Sequence, residues 1–195
     1  MLGRGVEWNW LHIFRAAGIP CAAPVALAEE FVRGRERRSA VIMSAVPGRS
    51  LEAWAADWTA ADRSFIADLI VPTADITARM HALGCVHCDL YLPHLFFGRR
   101  AESVASESVR NDPAGSSRTV HLIDLQRVFR PGCCFGRWVV KDLASLHFSA
   151  QKLLPAGMLS RADALRWLKT YLQVCKLDAR GKRLAYRVIG RTQSM

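Results

Sequence analysis

The sequence predicts an α+β domain with its strands in the first third and at one central hairpin, and with helices filling the rest. Three observations predict it. Pro24 to Phe31 and Ser39 to Ala45 read as strands, bridged by the charged turn Arg33-Gly34-Arg35-Glu36-Arg37-Arg38. Apolar residues recur at three- and four-residue steps between Ala61 and Leu83, and Leu143 to Leu153 and Ser160 to Val174 read as further core helices. Two short apolar segments, ending in His87-Cys88-Asp89 and in Leu122-Ile123-Asp124, each set an acidic residue at a strand-edge turn.

Each element has its own signal. Arg4 to Ala17 places Val6, Trp10, Ile13 and Phe14 on one helical face and stops at Gly18, with Pro20 beyond. After the second strand, Val41-Ile42-Met43 runs into a Pro47-Gly48 turn, and a short helix follows around Leu51 to Trp58. Between Ala61 and Leu83 the stripe is Ile66, Leu69, Ile76, Met80 and Leu83, capped by Gly84. Pro72 lacks an amide donor and clashes with the preceding turn, so it is expected to kink this region or divide it into two helices. His81 is expected to pack or face solvent. Phe96-Phe97 and Leu122-Ile123 form a hairpin, and Gly98 to Thr119, rich in Ser, Arg, Glu and Gly, is a flexible insert at its tip. Ser160-Arg161-Ala162-Asp163 opens the last core helix with a capping-box pattern, followed by Leu165, Leu168 and Leu172.

The paired acidic turns carry chemistry. Phosphoryl transfer needs little covalent participation from a protein; it needs one carboxylate near the acceptor hydroxyl and another on Mg²⁺. Protein kinases write these as H-R-D-x-x-x-x-N and D-F-G. Here the first reads His87-Cys88-Asp89 with His94 in the Asn position, and the second reads Asp124-Leu125-Gln126. On residue type alone, Asp89 could merely cap a turn.

These departures have a pattern of their own. His87, Asp89, Tyr91 and His94, then Ile123, Asp124, Leu125 and Arg127, then Arg137, Trp138, Lys141, Asp142, Leu143, Ala144 and Leu146 stand in order. The chain thereby resembles the bacterial lipopolysaccharide core kinases, the heptose and Kdo kinases, with their H-x-D-x-Y-x-x-H, I-D-L-x-R and R-W-x-x-K-D-L-A-x-L blocks. The resemblance spans about Gly5 to Leu172. It implies a protein-kinase-like fold, with 1–195 as one domain: 1–46 a remnant of the small lobe, 47–195 the large lobe, and 98–119 the flexible insert.

The resemblance also implies roles. Asp89 is the base or positioning group at the acceptor hydroxyl, with His87 beside it in the catalytic loop. Asp124 binds the metal and His94 assists it or touches phosphate, although Mg²⁺ prefers oxygen donors. Met43, Ser44 and Val46 face the adenine, and Glu7 is the helix glutamate that normally pairs with a small-lobe Lys. That Lys and a glycine-rich loop are not seen before Glu7; the first Lys is Lys141. The expectation is an N-terminally truncated kinase domain. Asp142 ties the catalytic loop to a buried helix, and Arg127 is a candidate for substrate phosphate, with Arg130 and Arg137 behind it. The implied cofactors are ATP and Mg²⁺, and the implied acceptor is a sugar hydroxyl of the lipopolysaccharide inner core. A non-catalytic member of the same fold, or another hydroxyl acceptor, is the alternative.

Composition bounds these readings. At 195 residues the chain can bury a sizeable core yet is short for two full lobes. Its net charge of +10, from 27 Lys plus Arg against 17 Asp plus Glu, suits anionic partners, though a basic solvated surface would look the same. Nucleotide, phosphorylated sugars and a peripheral contact with the inner membrane are expected, and nucleic acid is not. No apolar run reaches the roughly 20 residues that span a bilayer, so a cytoplasmic location with six reduced cysteines is expected. Cys85-x-x-Cys88 and the adjacent Cys133-Cys134 make a poor zinc site, and ordinary thiols are the expectation. The tail from Lys176 is basic; an anionic-surface contact there is one reading and a solvated terminal helix the other.

Overall fold

The structure, a computed structural model, describes residues 6–59, 62–98 and 119–195. It is an α+β fold. Helix α1 (Val6–Ala16) buries Leu11 and Phe14. Gly18, at φ +67, reverses the chain so that the Ile19 amide returns to the Phe14 carbonyl at 2.8 Å. Strands β1 (Pro24–Val32) and β2 (Arg35–Met43) form an antiparallel hairpin. Its turn is narrower than expected, only Arg33-Gly34, both at positive φ. Such a two-residue turn matches the right-handed twist of the strands, so Arg35 to Arg38 continue the ladder with their charges in solvent.

A second sheet, order β3–β4–β5, joins β3 (Arg49–Ser50), β4 (Leu95–Phe97) and β5 (Val120–Leu122), all antiparallel. Gly48 is required beside it: at φ +87 a Cβ there would strike the Phe97 carbonyl. Ser50 caps α2 (Leu51–Asp57) by accepting the Ala53 amide at 3.1 Å. Trp54 donates its indole N–H to the Phe97 carbonyl at 2.9 Å, and the rings of Trp54, Trp58 and Phe97 all pack against Phe65. The predicted insert 98–119 lies, apart from its end residues, outside the described residues.

Helix α3 (Arg63–Ala82) corrects one expectation: Pro72 does not divide it. An interior proline costs about 3 kcal/mol. Ten α3 residues are buried, among them Ile66, Leu69, Ile76 and Met80, and each large apolar side chain returns about 1.5–3 kcal/mol. Thr73 next to the proline donates its hydroxyl to the Leu69 carbonyl at 2.5 Å and accepts from Trp167 at 2.9 Å, pinning this turn to a neighbouring helix.

That neighbour is α5 (Arg161–Leu172), opened by a reciprocal Ser160–Asp163 capping box and ended by Gln173 in the left-handed region. Helix α4 (Phe135–Leu153) begins well before the expected Leu143, so Asp142 lies inside it. Helix α6 (Ala179–Gln193), capped by Asp178, packs on α4. The main core joins α1, α2, α3 and the second sheet. A smaller cluster of Val86, Cys88, Val139 and Leu143, with Trp138, Tyr171, Leu184 and Val188 around it, lies directly beneath the first acidic turn.

Candidate active site

The site begins where α3 ends. Gly84, at φ +73, turns the chain, and Val86 pairs with Phe129 through two backbone hydrogen bonds of 3.0 and 3.1 Å. The next two amides have no strand to join. Asp142, fully buried, accepts both: His87 N–H at 2.7 Å and Cys88 N–H at 2.8 Å. Lys141 Nζ donates to the Cys88 carbonyl at 2.6 Å. Cys88 sits at φ +70, a conformation costing an ordinary residue about 1–2 kcal/mol. Consecutive residues of α4 thus hold both faces of this strained peptide unit, and the following Asp89 is aimed outward.

Asp142 has a third partner. His81 Nε2 lies 3.2 Å from Oδ2, and His81 Nδ1 lies 2.8 Å from the Tyr171 hydroxyl. With the carboxylate accepting, Nε2 carries the proton and Nδ1 accepts from tyrosine. Burial, with the Asp142 charge adding to it, pushes the Tyr171 phenol up to about 12, so it remains a donor. His81 therefore belongs to the wall behind the loop, as a packing histidine.

One ring joins the two acidic turns. His94 Nδ1 meets the Asp89 carbonyl at 2.7 Å, and its Nε2 lies 3.5 Å from Asp124 Oδ2. Since a carbonyl only accepts, Nδ1 carries the proton and Nε2 faces the carboxylate. The Ile123 amide in turn donates to the His94 carbonyl at 3.1 Å. Asp124 is itself in the left-handed region, φ +56, with its side chain 39% exposed. The next amide, Leu125 N–H, donates to Glu7 Oε1 at 3.2 Å, so α1 reaches into the site through a backbone contact.

His87 lies behind this pair, fully buried. Its Nε2 donates to the Ile123 carbonyl at 3.1 Å, and its ring stacks on His94 with centroids 5.8 Å apart. Burial pushes the His87 imidazole down, against the opposing pull of Asp142, so it is neutral; its Nδ1 is buried without a partner among the described residues. It touches no open surface. Its contribution to the site is positioning, by joining the Asp89 loop to the Asp124 turn.

The remaining residues divide. Asp89, with 18% of its side chain exposed, receives Arg127 Nη1 on both oxygens, at 2.9 and 2.7 Å. Arg127 is therefore beside the first carboxylate, with its side chain 68% exposed. Met43 closes β2, half-buried, and Val46 packs on the main core. The Ser44 amide donates to the Ala23 carbonyl at 2.8 Å and its hydroxyl accepts from Ala23, so that amide is already committed. Hydrogen bonds among the described residues do not connect this segment to the acidic cluster. Cys85 and Cys88 are buried, and burial pushes both thiols up, which keeps them protonated.

Two contributors had no assigned role in the sequence, Lys141 and Ser149. Ser149 accepts the Leu92 amide at 3.1 Å and steadies the turn that carries His94. Lys141 had two signals: it is the first lysine of the chain, and it stands beside Asp142 in the third sequence block.

A family model described as lipopolysaccharide kinase (Kdo/WaaP) matches residues 2–171. The chain belongs to this family. Among curated relatives, the lipopolysaccharide core heptose(I) kinase WaaP of Escherichia coli is 31% identical over 174 residues, covering 88% of this chain and 60% of that protein. The WaaP of Pseudomonas aeruginosa is 29% identical over 176 residues, with 89% and 60% covered. The chain spans about 60% of the length of these curated relatives. Among solved structures, WaaP in complex with acyl carrier protein superposes with a TM-score of 0.72 at 25% identity, over 99% of this chain and 76% of the other. The kinase-like fold of the Kdo/WaaP family is thus shared along nearly the whole chain.

Proposed function

We propose that this Kdo/WaaP family chain carries an ATP-dependent phosphotransferase centre that phosphorylates a sugar hydroxyl of the lipopolysaccharide inner core, at the cytoplasmic face of the inner membrane. One observation carries the reading: His94 stands between the two acidic turns, with Nδ1 2.7 Å from the Asp89 backbone carbonyl and Nε2 3.5 Å from Asp124 Oδ2. In this reading residues 1–46 belong to the small lobe and 47–195 to the large lobe, with the nucleotide between them. Met43 and Val46 face the adenine, and the Ser44 carbonyl, not its amide, is the group left to read the base edge.

The donor set fits Mg²⁺. His94 Nε2 and Asp124 Oδ2 lie 3.5 Å apart, and the part-exposed Asp124 carboxylate is an oxygen donor of the kind Mg²⁺ takes. No cluster of three metal-ligating side chains exists among the described residues, and Mg²⁺ characteristically takes one or two protein donors and completes its shell with water and phosphate oxygens. Asp124 would be the principal ligand and His94 the secondary one. When bound, the ion neutralises the charge of the phosphate chain.

Asp89 accepts the acceptor's hydroxyl proton as the sugar oxygen bonds to the γ-phosphorus, and the bond from that phosphorus to the bridging oxygen breaks, releasing ADP. Arg127 must leave Asp89 for this, and the phosphate entering beside it offers the guanidinium paired acceptors. Calorimetric titration with ATP and MgCl₂, beside Asp124→Ala, tests the reading. Binding abolished by the substitution is expected; no binding by a folded sample would sink it.

A further inference from the structure

The exposed face of α6 is unlike the rest of the surface. The helix is anchored by Leu184 and Val188, which pack against the cluster over α4, and by buried Gly181 and Thr192. Thr192 donates to the Val188 carbonyl at 2.9 Å and lies 3.3 Å from His147 Nδ1, which fixes the helix rotation. Tyr186, at 75% exposure, then stands opposite this anchor, with Ile189, at 45%, on the flank beside it. The exposed arc of the helix also carries Arg180, Lys182, Arg183, Arg187 and Arg191, and no Asp or Glu stands between the cap Asp178 and Met195. Ion pairs among the described residues include none of the five. Exposed apolar groups continue past both ends of the helix, with Val174 at 40% and Met195 at 44%.

We infer that this face docks on an anionic lipid bilayer, with Tyr186 and Ile189 entering the headgroup layer and the basic residues contacting lipid phosphates. A soluble polyanion would account for the charge. It would leave the exposed aromatic and aliphatic pair unexplained, whereas a membrane interface takes both: amphipathic Tyr rings settle at headgroup depth, and basic flanks are drawn to anionic lipid. The inference rests on the membrane location proposed above, and independently of any nucleotide.

Vesicle flotation of the purified chain tests it, using phosphatidylcholine alone and phosphatidylcholine with a third replaced by phosphatidylglycerol. Binding is expected only to the anionic vesicles, weakening as salt rises. Arg183→Glu with Arg187→Glu should lower partitioning by at least roughly 25-fold, about fivefold for each charge lost. Tyr186→Ser with Ile189→Ser should lower it about tenfold and remove the part that survives high salt. Both pairs are exposed, and circular dichroism melts confirm that the variants fold. Wild-type binding unaffected by either pair, absence of vesicle binding, or equal capture by soluble polyglutamate would each overturn the inference. Titration with ATP and MgCl₂ on the same samples separates its failure from failure of the kinase reading.

Discussion

Lys141 Nζ lies 2.6 Å from the Cys88 carbonyl, so the residue that precedes Asp89 is held by a lysine from another element. Lys141→Ala removes this hold while leaving Asp142 to bind the two amides. The chain should still fold. Turnover should fall about 10- to 100-fold through misplacement of Asp89, with the ATP KM little changed, and Lys141→Arg should recover part of the loss. Equal turnover in all three proteins would remove Lys141 from the positioning set.

Asp142 is a different case. Asp142→Ala strands three buried donors, the His87 and Cys88 amides and His81 Nε2. Each unpaired buried donor costs about 1–3 kcal/mol, so the loss should reach roughly 3 kcal/mol or more in urea unfolding. A smaller loss would mean that the loop finds other acceptors.

Asp124 allows function to be separated from fold. Its left-handed backbone suits Asn nearly as well as Asp. Asp124→Asn should therefore unfold within about 0.5 kcal/mol of wild type and yet lose Mg²⁺-dependent nucleotide binding. Loss of both together would assign Asp124 a structural role.

Stability should fall in mild acid. Burial holds the folded-state pKa of His87 below its unfolded value near 6.5, and pushes His121 and His147 in the same direction. The unfolded chain then binds more protons below that value, so the stability is fully present above about pH 6.5 and is lost as pH falls toward the folded pKa. Each such histidine contributes a slope of up to about 1.4 kcal/mol per pH unit. Unfolding free energies between about pH 8 and 5 should show the decline, and His87→Gln, which retains an N–H for Ile123, should flatten it. Parallel curves would contradict the assignment.

Pro72 sits inside an unbroken helix at a cost. Pro72→Ala restores a helical amide and should stabilise the chain by about 1–2 kcal/mol, the helix gain less the freedom returned to the unfolded state. Thermal unfolding measures it.

Much of the candidate site was legible because its signal lies in side chains: Asp89, His94 and Asp124 are recognisable by type and spacing, and the structure brings them together. What escaped was held by backbone. Glu7 was expected to seek a lysine and instead accepts the Leu125 amide, a partner that no residue identity reveals. The start of α4 was hidden because Asp142 and Ser145 occupy buried places in its apolar stripe and break the periodicity. The hairpin turn was drawn too wide because exposed charges resemble a loop, while Arg33-Gly34 alone had the conformation to reverse the chain. Pro72 misled in the opposite sense, since its local penalty is smaller than what the surrounding burial returns.

The His94 ring also acts as a ruler. Its Nδ1 meets the Asp89 backbone carbonyl and its Nε2 stands 3.5 Å from the Asp124 carboxylate, so a single rigid heterocycle fills the gap between the two acidic turns. Loops could flex and α1 could shift without changing that gauge. A substitute side chain of similar polarity but without a flat, two-ended ring would leave both carboxylates present and out of step with each other.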